Sequence, residues 1–296
     1  MKKIVIALVL VCMLAAMFGC SQQTKTEPQP EYPFTADTYP KVDGSTATIP
    51  LSEQFFSDAT GVSLGDASTY IKHNTTHNAY VNLINGDCDI IFVTSPSEEE
   101  YALAAEAGVE LEVHPVVNEG FIFMVNEKNP VDNLTREQIV AIYTDQITNW
   151  SEVGGEDKEI IAYQREVNSG SQTGFLDLVM GDVEPADAPT EKRIVGMGEL
   201  VESISAYDNS DQALGYSYYF YVNEMYVREA AKLIAVDGVY PSPETIADGS
   251  YPYTTAYYAV IRADEPEDSP ARTLLNWTLS EDGQKAAKEA GYVPLA

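Results

Sequence analysis

From residue 39 onward, short apolar runs alternate with stretches of helical periodicity, and this alternation is the strongest constraint on the fold. Residues 89–93 (D-I-I-F-V) and 120–125 (G-F-I-F-M-V) are typical of buried strands, and residues 256–261 predict another. Capping boxes at residues 97–100 and 135–138 predict helices between the strands. Further helix starts are predicted at Ser269 and Ser280. Strands interleaved with helices predict an α/β architecture with mostly parallel sheets flanked by helices.

The N-terminus has the pattern of an export signal. Two lysines precede an apolar run over residues 4–18, which is shorter than the ~20 residues that a spanning helix needs. Gly19 followed by Cys20 resembles the bacterial lipoprotein signal, in which the cysteine is lipidated. We expect a signal peptide over residues 1–19, a lipidated Cys20 that carries palmitate, and a Pro-rich tether over residues 20–35. The protein would then be anchored to the outer face of the cell membrane.

Cysteine content and charge restrict what the body of the chain can do. Cys88 is the only cysteine outside the predicted signal and anchor, so an intrachain disulfide is not expected and the core must hold the fold. At 296 residues with 45% hydrophobic content, the chain is long enough for two lobes. The formal net charge of −29 argues against nucleic acid as a partner. A small anion remains a possible ligand, because salt screens the repulsion from surface charges beyond about 8 Å at physiological ionic strength.

Residues 165–173 (R-E-V-N-S-G-S-Q-T) form a candidate anion site. Small hydroxyl residues and a glycine enter a predicted helix, closed by Gly181, whose first main-chain N–H groups and dipole favour a bound anion. Arg165 adds a planar donor suited to phosphate or carboxylate. An ordinary capped helix with a surface arginine is the alternative.

Several segments together resemble one family, the phosphate-binding lipoproteins of ABC importers, which are two-lobed solute-binding proteins. These segments follow the family's order over almost the whole mature chain: residues 43–51 (D-G-S-T-A-T-I-P-L), 86–92 (G-D-C-D-I-I-F), 126–135 (N-E-K-N-P-V-D-N-L-T), 147–155 (I-T-N-W-S-E-V-G-G), 165–173, 213–219 (A-L-G-Y-S-Y-Y) and 291–295 (G-Y-V-P-L).

The resemblance implies a periplasmic-binding-protein-like fold, with two α/β lobes and a hinge between them. It places the crossings near residues 119–121 and 251–253. Lobe 1 is then expected over residues 36–120 plus 253–296, and lobe 2 over residues 121–252.

The resemblance also implies that inorganic phosphate is held by three helix-start loops and an arginine. The first loop matches at residues 44–48, the second at residues 75–77, and the third at residues 169–171 with the arginine four residues upstream. The expected ligand-binding residues are Ser45, Thr46, Ala47, Thr48, Thr75, Thr76, His77, Thr94, Arg165, Ser169, Gly170 and Ser171. The expected partners are phosphate and the permease subunits of an ABC importer. No catalytic residue, metal or cofactor is expected, and the protein is expected to be a monomer.

The sequence departs from the family pattern in two places. The second loop reads H-N-T-T-H-N-A-Y rather than being rich in glycine and serine. No carboxylate follows the strand over residues 89–93, where Thr94 or His77 would have to accept a ligand proton. Sulfate, tungstate and molybdate therefore stay open as ligands.

Three motifs in the sequence suggest other functions. His73 and His77 are spaced like helical zinc ligands, but Asn74 replaces the general-base glutamate of H-E-x-x-H. Residues 170–174 (G-S-Q-T-G) place Gln172 where a hydrolase elbow has serine. The tyrosine-rich residues 216–226 suit either a core strand with its rim or an aromatic-ligand platform. A sensory or adhesive surface lipoprotein on the same fold is the remaining alternative.

Overall fold

The structure is a computed structural model, and it describes residues 32–188, 193–194, 197–205, 210–225 and 230–295. The predicted signal peptide, Cys20 and the tether up to residue 31 lie outside the described residues, as does Tyr226. Residues 33–296 group into one compact unit. Within the described ranges, none of the helices combines the length and apolar character that crossing a bilayer requires.

Twelve strands and ten α-helices are described. The strands are β1 Val42–Gly44, β2 Ile90–Val93, β3 Leu111–Asn126, β4 Asn133–Leu134, β5 Ile161–Ala162, β6 Gln164–Arg165, β7 Arg193–Ile194, β8 Ala213–Tyr218, β9 Ala231–Leu233, β10 Ala235–Val236, β11 Thr254–Arg262 and β12 Val293–Pro294. The helices are α1 Ile49–Thr60, α2 Leu64–Ala67, α3 Thr76–Asn85, α4 Glu98–Ala107, α5 Arg136–Tyr143, α6 Gly170–Gly174, α7 Met197–Ser205, α8 Pro243–Ala247, α9 Pro270–Thr278 and α10 Glu281–Glu289. A π-helical stretch, Phe175–Met180, continues α6 and ends at Gly181.

The main sheet has the order β1-β2-β11-β3-β8-β5, with β12 and β9 also paired to β3. The predicted α/β architecture with helices around the sheet is confirmed. The sheet is mixed rather than mostly parallel. Strands β1 and β2 are parallel, as are β5 and β8, whereas β3 pairs antiparallel with β11, β8, β9 and β12. The two long strands cause this difference, because β11 runs antiparallel to both β2 and β3, and β3 runs antiparallel to β8.

Strand β3 joins the two halves of the sheet. Its pairing with β11 ends at Gly120, which lies opposite Thr254, and its pairing with β8 begins at Phe121, which lies opposite Tyr218. One continuous strand therefore changes partners at the position where the sequence predicts a crossing between lobes.

Aromatic side chains fill the core around β3 and β8. Phe121 and Phe123 are fully buried and pack near Tyr216. The ring of Tyr216 also stacks on Phe175, with centroids 4.5 Å apart. The tyrosine-rich segment therefore begins as a core strand, and Phe175 ties the helix that follows residue 170 to that strand.

Candidate functional site

The first loop of the predicted site and the predicted residue Thr94 follow neighbouring parallel strands. β1 ends at Gly44 and leads into Ser45, and β2 ends at Val93 and leads into Thr94. The main-chain N–H of Ser45 donates to the carbonyl of Phe92 at 3.0 Å, which holds the two strand ends together. Polar residues at the carboxyl ends of adjacent strands are thus brought to one edge of the sheet.

Helix starts around this edge have open main-chain donors. Neither Ser45, which precedes the short 3₁₀ turn Thr46–Thr48, nor Thr75, which precedes α3, uses its side chain to cap the helix. Thr75, directly before α3, has a positive φ of 72°, and this backbone conformation is strained for a β-branched residue. The first N–H groups of these turns stay available for an anion.

The third helix start faces the other two. Ser169 caps α6 by accepting from the N–H of Gln172, and Asn168 before it has a positive φ of 69°. A Cβ on Gly170 would lie 2.6 Å from Thr94 Oγ1 and 2.7 Å from Thr76 Oγ1. Only a residue without a side chain lets this helix start approach the opposite loops so closely.

The three helix starts line one cavity of about 590 Å³. Ten predicted residues line it: Ser45, Thr46, Ala47, Thr75, Thr76, His77, Thr94, Ser169, Gly170 and Ser171. Five lining residues were not predicted: Asn78, Val167, Asn168, Tyr218 and Tyr221. Among the described lining residues there is no carboxylate, lysine or arginine, so the cavity offers dipoles rather than charges.

Thr94 contributes a buried hydroxyl to the cavity. Its side chain is 2% exposed, and Oγ1 has no hydrogen-bond partner within the described part of the chain. A buried hydroxyl without a partner is costly, so this atom indicates a place where a ligand would be bound.

Two predicted residues do not line the cavity. The hydroxyl of Thr48 bonds to the carbonyls of Phe92 at 2.6 Å and Ser45 at 3.0 Å, so Thr48 holds the first loop from behind. Arg165 is 6% exposed, and its Nη1 donates to Ser171 Oγ at 3.2 Å. Burial lowers the pKa of its guanidinium. The guanidinium of Arg165 therefore lies behind the cavity lining and is connected to the cavity by its hydrogen bond to Ser171.

The two histidines of the second loop have different partners. His73 Nδ1 lies 2.7 Å from the carbonyl oxygen of Ser45, and burial lowers the pKa of this imidazole. His77 Nδ1 lies 3.1 Å from Glu100 Oε1. Among the described residues, no group of three or more metal-binding side chains comes together.

Asp43 is a supporting residue that the sequence analysis missed. It is 3% exposed and accepts from the main-chain N–H groups of Gly44 and Asn74, both at 2.7 Å. It also accepts from the side-chain amides of Asn74 at 2.8 Å and Asn82 at 2.7 Å. The carboxylate thus fixes both the first loop and the entry to α3. Its partners Asn74 and Asn82 lie 31 and 39 positions away, so no local signal in the sequence marks this role.

Comparisons with known proteins show which family the chain resembles. A family model described as the PBP superfamily domain matches residues 34–282. The phosphate-binding protein PstS of Bacillus subtilis (strain 168) is 28% identical over 200 residues, which cover 67% of this chain and 62% of that protein. The chain thus spans less than two thirds of that relative. The phosphate-binding protein PstS of Staphylococcus saprophyticus is 27% identical over 266 residues, covering 86% of this chain and 80% of that protein.

A solved structure has a similar fold. The ABC-type phosphate transport receptor from Vibrio cholerae superposes with a TM-score of 0.62 and 25% sequence identity. The superposition covers 85% of this chain and 98% of that one.

Proposed function

The chain belongs to the PBP superfamily, and from this premise we infer that it captures inorganic phosphate between two lobes and delivers it to an ABC importer. The observation that carries this proposal is the cavity where three helix starts converge. Relatives over most of the chain are phosphate-binding proteins, and none of the lining residues is a carboxylate that would repel an anion.

The proposed site contacts phosphate through neutral donors, and the guanidinium of Arg165 strengthens one of them, the Ser171 hydroxyl. The expected contacts are Ser45, Thr46, Ala47, Thr48, Thr75, Thr76, His77, Thr94, Arg165, Ser169, Gly170 and Ser171, with Thr48 and Arg165 acting from behind the lining. Main-chain N–H groups and hydroxyls at helix starts stabilise a tetrahedral oxyanion, and the guanidinium of Arg165 polarises the Ser171 hydroxyl. Binding without covalent chemistry is sufficient for this role.

We propose lobe 1 over residues 36–120 plus 253–296 and lobe 2 over residues 121–252. The change of partner along β3 between Gly120 and Phe121 supports the first boundary. The contact of Gly170 with Thr76 and Thr94 then joins one lobe to the other, as a closed form of the site requires. Closure around the ion would give the permease a distinct shape to bind.

The N-terminal signal supports a proposal about location. Cleavage after residue 19, lipidation of Cys20 and a tether up to residue 35 would hold a monomeric receptor at the outer face of the membrane. Membrane contact would then be made through the lipid alone.

A thermal melt with phosphate, sulfate, tungstate and molybdate tests the proposed function. A ligand at a thousand times its Kd adds about 4 kcal/mol to the free energy of unfolding, so phosphate should raise the Tm clearly. Arg165→Ala should remove most of this rise, because it removes the charge next to Ser171. Arg136→Ala is the control, since Arg136 pairs with Asp237 on the surface. If no oxyanion changes the Tm of the unaltered protein, the receptor function is wrong.

A further inference from the structure

The cavity at the three helix starts is larger than a phosphate ion requires. Its volume is about 590 Å³. An ion of five heavy atoms occupies roughly 100 Å³, since one water molecule takes about 30 Å³ of the liquid. Sites of about 300–1,000 Å³ are typical for organic ligands. Phosphate alone would therefore leave most of this cavity to water.

The segments that face each other across the cavity are already in contact beside it. A Cβ on Gly170 would lie 2.6 Å from Thr94 Oγ1 and 2.7 Å from Thr76 Oγ1, so these segments cannot come closer at this point. The hydroxyl of Tyr218 donates to the carbonyl of Gly170 at 3.0 Å and holds this helix start in place. The volume of the cavity is therefore present although the facing segments touch.

The lining of the cavity has a buried polar part and an exposed part. Thr76, Thr94 and Ser171 are buried and supply hydroxyls, and Thr94 Oγ1 has no hydrogen-bond partner within the described residues. Val167, in contrast, is 69% exposed, and Asn78 is exposed as well. The cavity therefore opens to solvent at Val167 and Asn78. An oxyanion held by the buried hydroxyls would have one side toward this opening.

Part of the lining is aromatic or apolar. Tyr218 and Tyr221 are 2% and 8% exposed, and Val167 adds an aliphatic side chain at the opening. A tyrosine ring offers a flat apolar face that packs against an organic group. A small tetrahedral ion makes little use of such faces, because its oxygens bind the N–H groups and hydroxyls of the helix starts. This part of the lining is therefore suited to a ligand that is larger than phosphate.

We propose that the cavity also binds monosubstituted phosphoryl compounds, namely phosphate monoesters and phosphonates with a small apolar or aromatic substituent. This inference rests on the proposed function, because the phosphoryl group takes the place of inorganic phosphate. Its three unsubstituted oxygens accept from the buried hydroxyls and main-chain N–H groups. The substituent packs against Tyr221 and extends toward the opening at Val167. A phosphate monoester is mainly a dianion at pH 8, so its charge suits the same donors.

Calorimetric titration at pH 8 with inorganic phosphate, methylphosphonate and phenylphosphonate tests the proposal. Phosphonates are the probes because their carbon–phosphorus bond releases no phosphate by hydrolysis during the titration. Both phosphonates should bind, and inorganic phosphate should displace them. Phenylphosphonate should bind about tenfold more tightly than methylphosphonate, because its ring buries more apolar area.

Two variants test where the substituent lies, and both are assessed by the ratio of the Kd for phenylphosphonate to the Kd for phosphate. Tyr221→Ala should raise this ratio about tenfold, because the ring that packs against the substituent is lost. Val167→Ser should raise it about threefold by removing an apolar contact at the opening. Val183→Ser is the matched control, since Val183 is 44% exposed and does not line this cavity. Its ratio should equal that of the unaltered protein.

The outcomes separate this inference from the proposed function. If the unaltered protein binds no inorganic phosphate, the proposed function is wrong. If it binds phosphate but neither phosphonate, or if phosphate does not displace a bound phosphonate, the inference is wrong. An unchanged ratio in the folded variants would overturn the placement of the substituent and with it the proposal. Should Tyr221→Ala fail to fold because Tyr221 is buried, Val167→Ser at its exposed position still decides.

Discussion

At the scale of single residues, Gly170 is the position where the smallest change should have the clearest effect on binding. A Cβ there would lie 2.6 Å from Thr94 Oγ1, and Thr94 is buried and cannot turn away. We expect Gly170→Ala to weaken phosphate binding by about tenfold or more, and the same overlap should lower the free energy of unfolding by about 1–3 kcal/mol. Calorimetric titration and urea unfolding measure the two quantities.

Gly65→Ala is the matched control for this prediction. Gly65 also lies in a short helix, α2, but a Cβ there would meet nothing within 4 Å. The control should bind phosphate like the unaltered protein. Equal affinities of the Gly170 and Gly65 variants would show that the close approach of Gly170 to Thr94 has no part in binding.

Glu119 makes stability depend on pH. It is 2% exposed, its Oε1 accepts from the N–H groups of Gly120 and Phe220, and burial raises its pKa from 4.5 to about 8. The folded protein therefore binds one more proton than the unfolded chain between these values. Stability should fall as pH rises through this window, by a few kcal/mol at about 1.4 kcal/mol per pKa unit.

Glu119→Gln isolates this effect, because an amide does not titrate in that range. Urea unfolding at pH 5, 6.5 and 8.5 should show the variant and the unaltered protein diverging as pH rises, with the variant more stable at pH 8.5. Parallel stability curves across the three pH values would contradict the raised pKa of Glu119.

At the scale of elements, Asp43 holds the start of α3 in place. Its four accepted hydrogen bonds join the end of β1 to the loop before α3 and to Asn82 within the helix. Asp43→Ala should lower the free energy of unfolding by about 3 kcal/mol, because several buried donors lose their partner. It should also weaken phosphate binding. Asp264→Ala, at an exposed position, should change stability by less than about 0.5 kcal/mol. Similar losses in both variants would contradict the role of Asp43.

Local signals in the sequence were sufficient for several elements. The capping boxes at Ser97 and Thr135 are present, and each opens a helix, Glu98–Ala107 and Arg136–Tyr143. Such signals lie within four residues and are independent of the rest of the chain. The sheet was harder to predict, because the pairing of β3 with β11 depends on residues more than a hundred positions apart.

The same distinction holds for the site. Its helix-start loops could be predicted, since each is a short motif, and ten predicted residues do line one cavity. Tyr218 and Asp43 were missed because their roles come from tertiary contacts. The Tyr218 hydroxyl donates to the carbonyl of Gly170 at 3.0 Å across 48 positions, and Asp43 reaches Asn74 across 31. No local pattern encodes those separations.

At the scale of the whole molecule, the net negative charge repels phosphate, whereas the proposed site attracts it. The chain carries 46 acidic and 17 basic residues, so an approaching phosphate dianion is repelled over long distances. The described cavity lining contains no charged side chain, and its donors act only at contact distance. Long-range repulsion and short-range attraction therefore respond differently to salt, because screening removes the first and leaves the second largely intact.

This difference predicts the direction in which added salt changes the association rate of phosphate. Between 20 mM and 300 mM NaCl the Debye length falls from roughly 20 Å to about 6 Å, so the repulsion should weaken. We expect the association rate of phosphate, followed by stopped-flow fluorescence, to rise several-fold, whereas a site lined by lysine and arginine would lose association rate. Sodium gluconate in place of NaCl controls for chloride competing in the cavity. An association rate that falls in both salts would mean that fixed positive charge attracts the ion, and that the site does not rely on neutral donors.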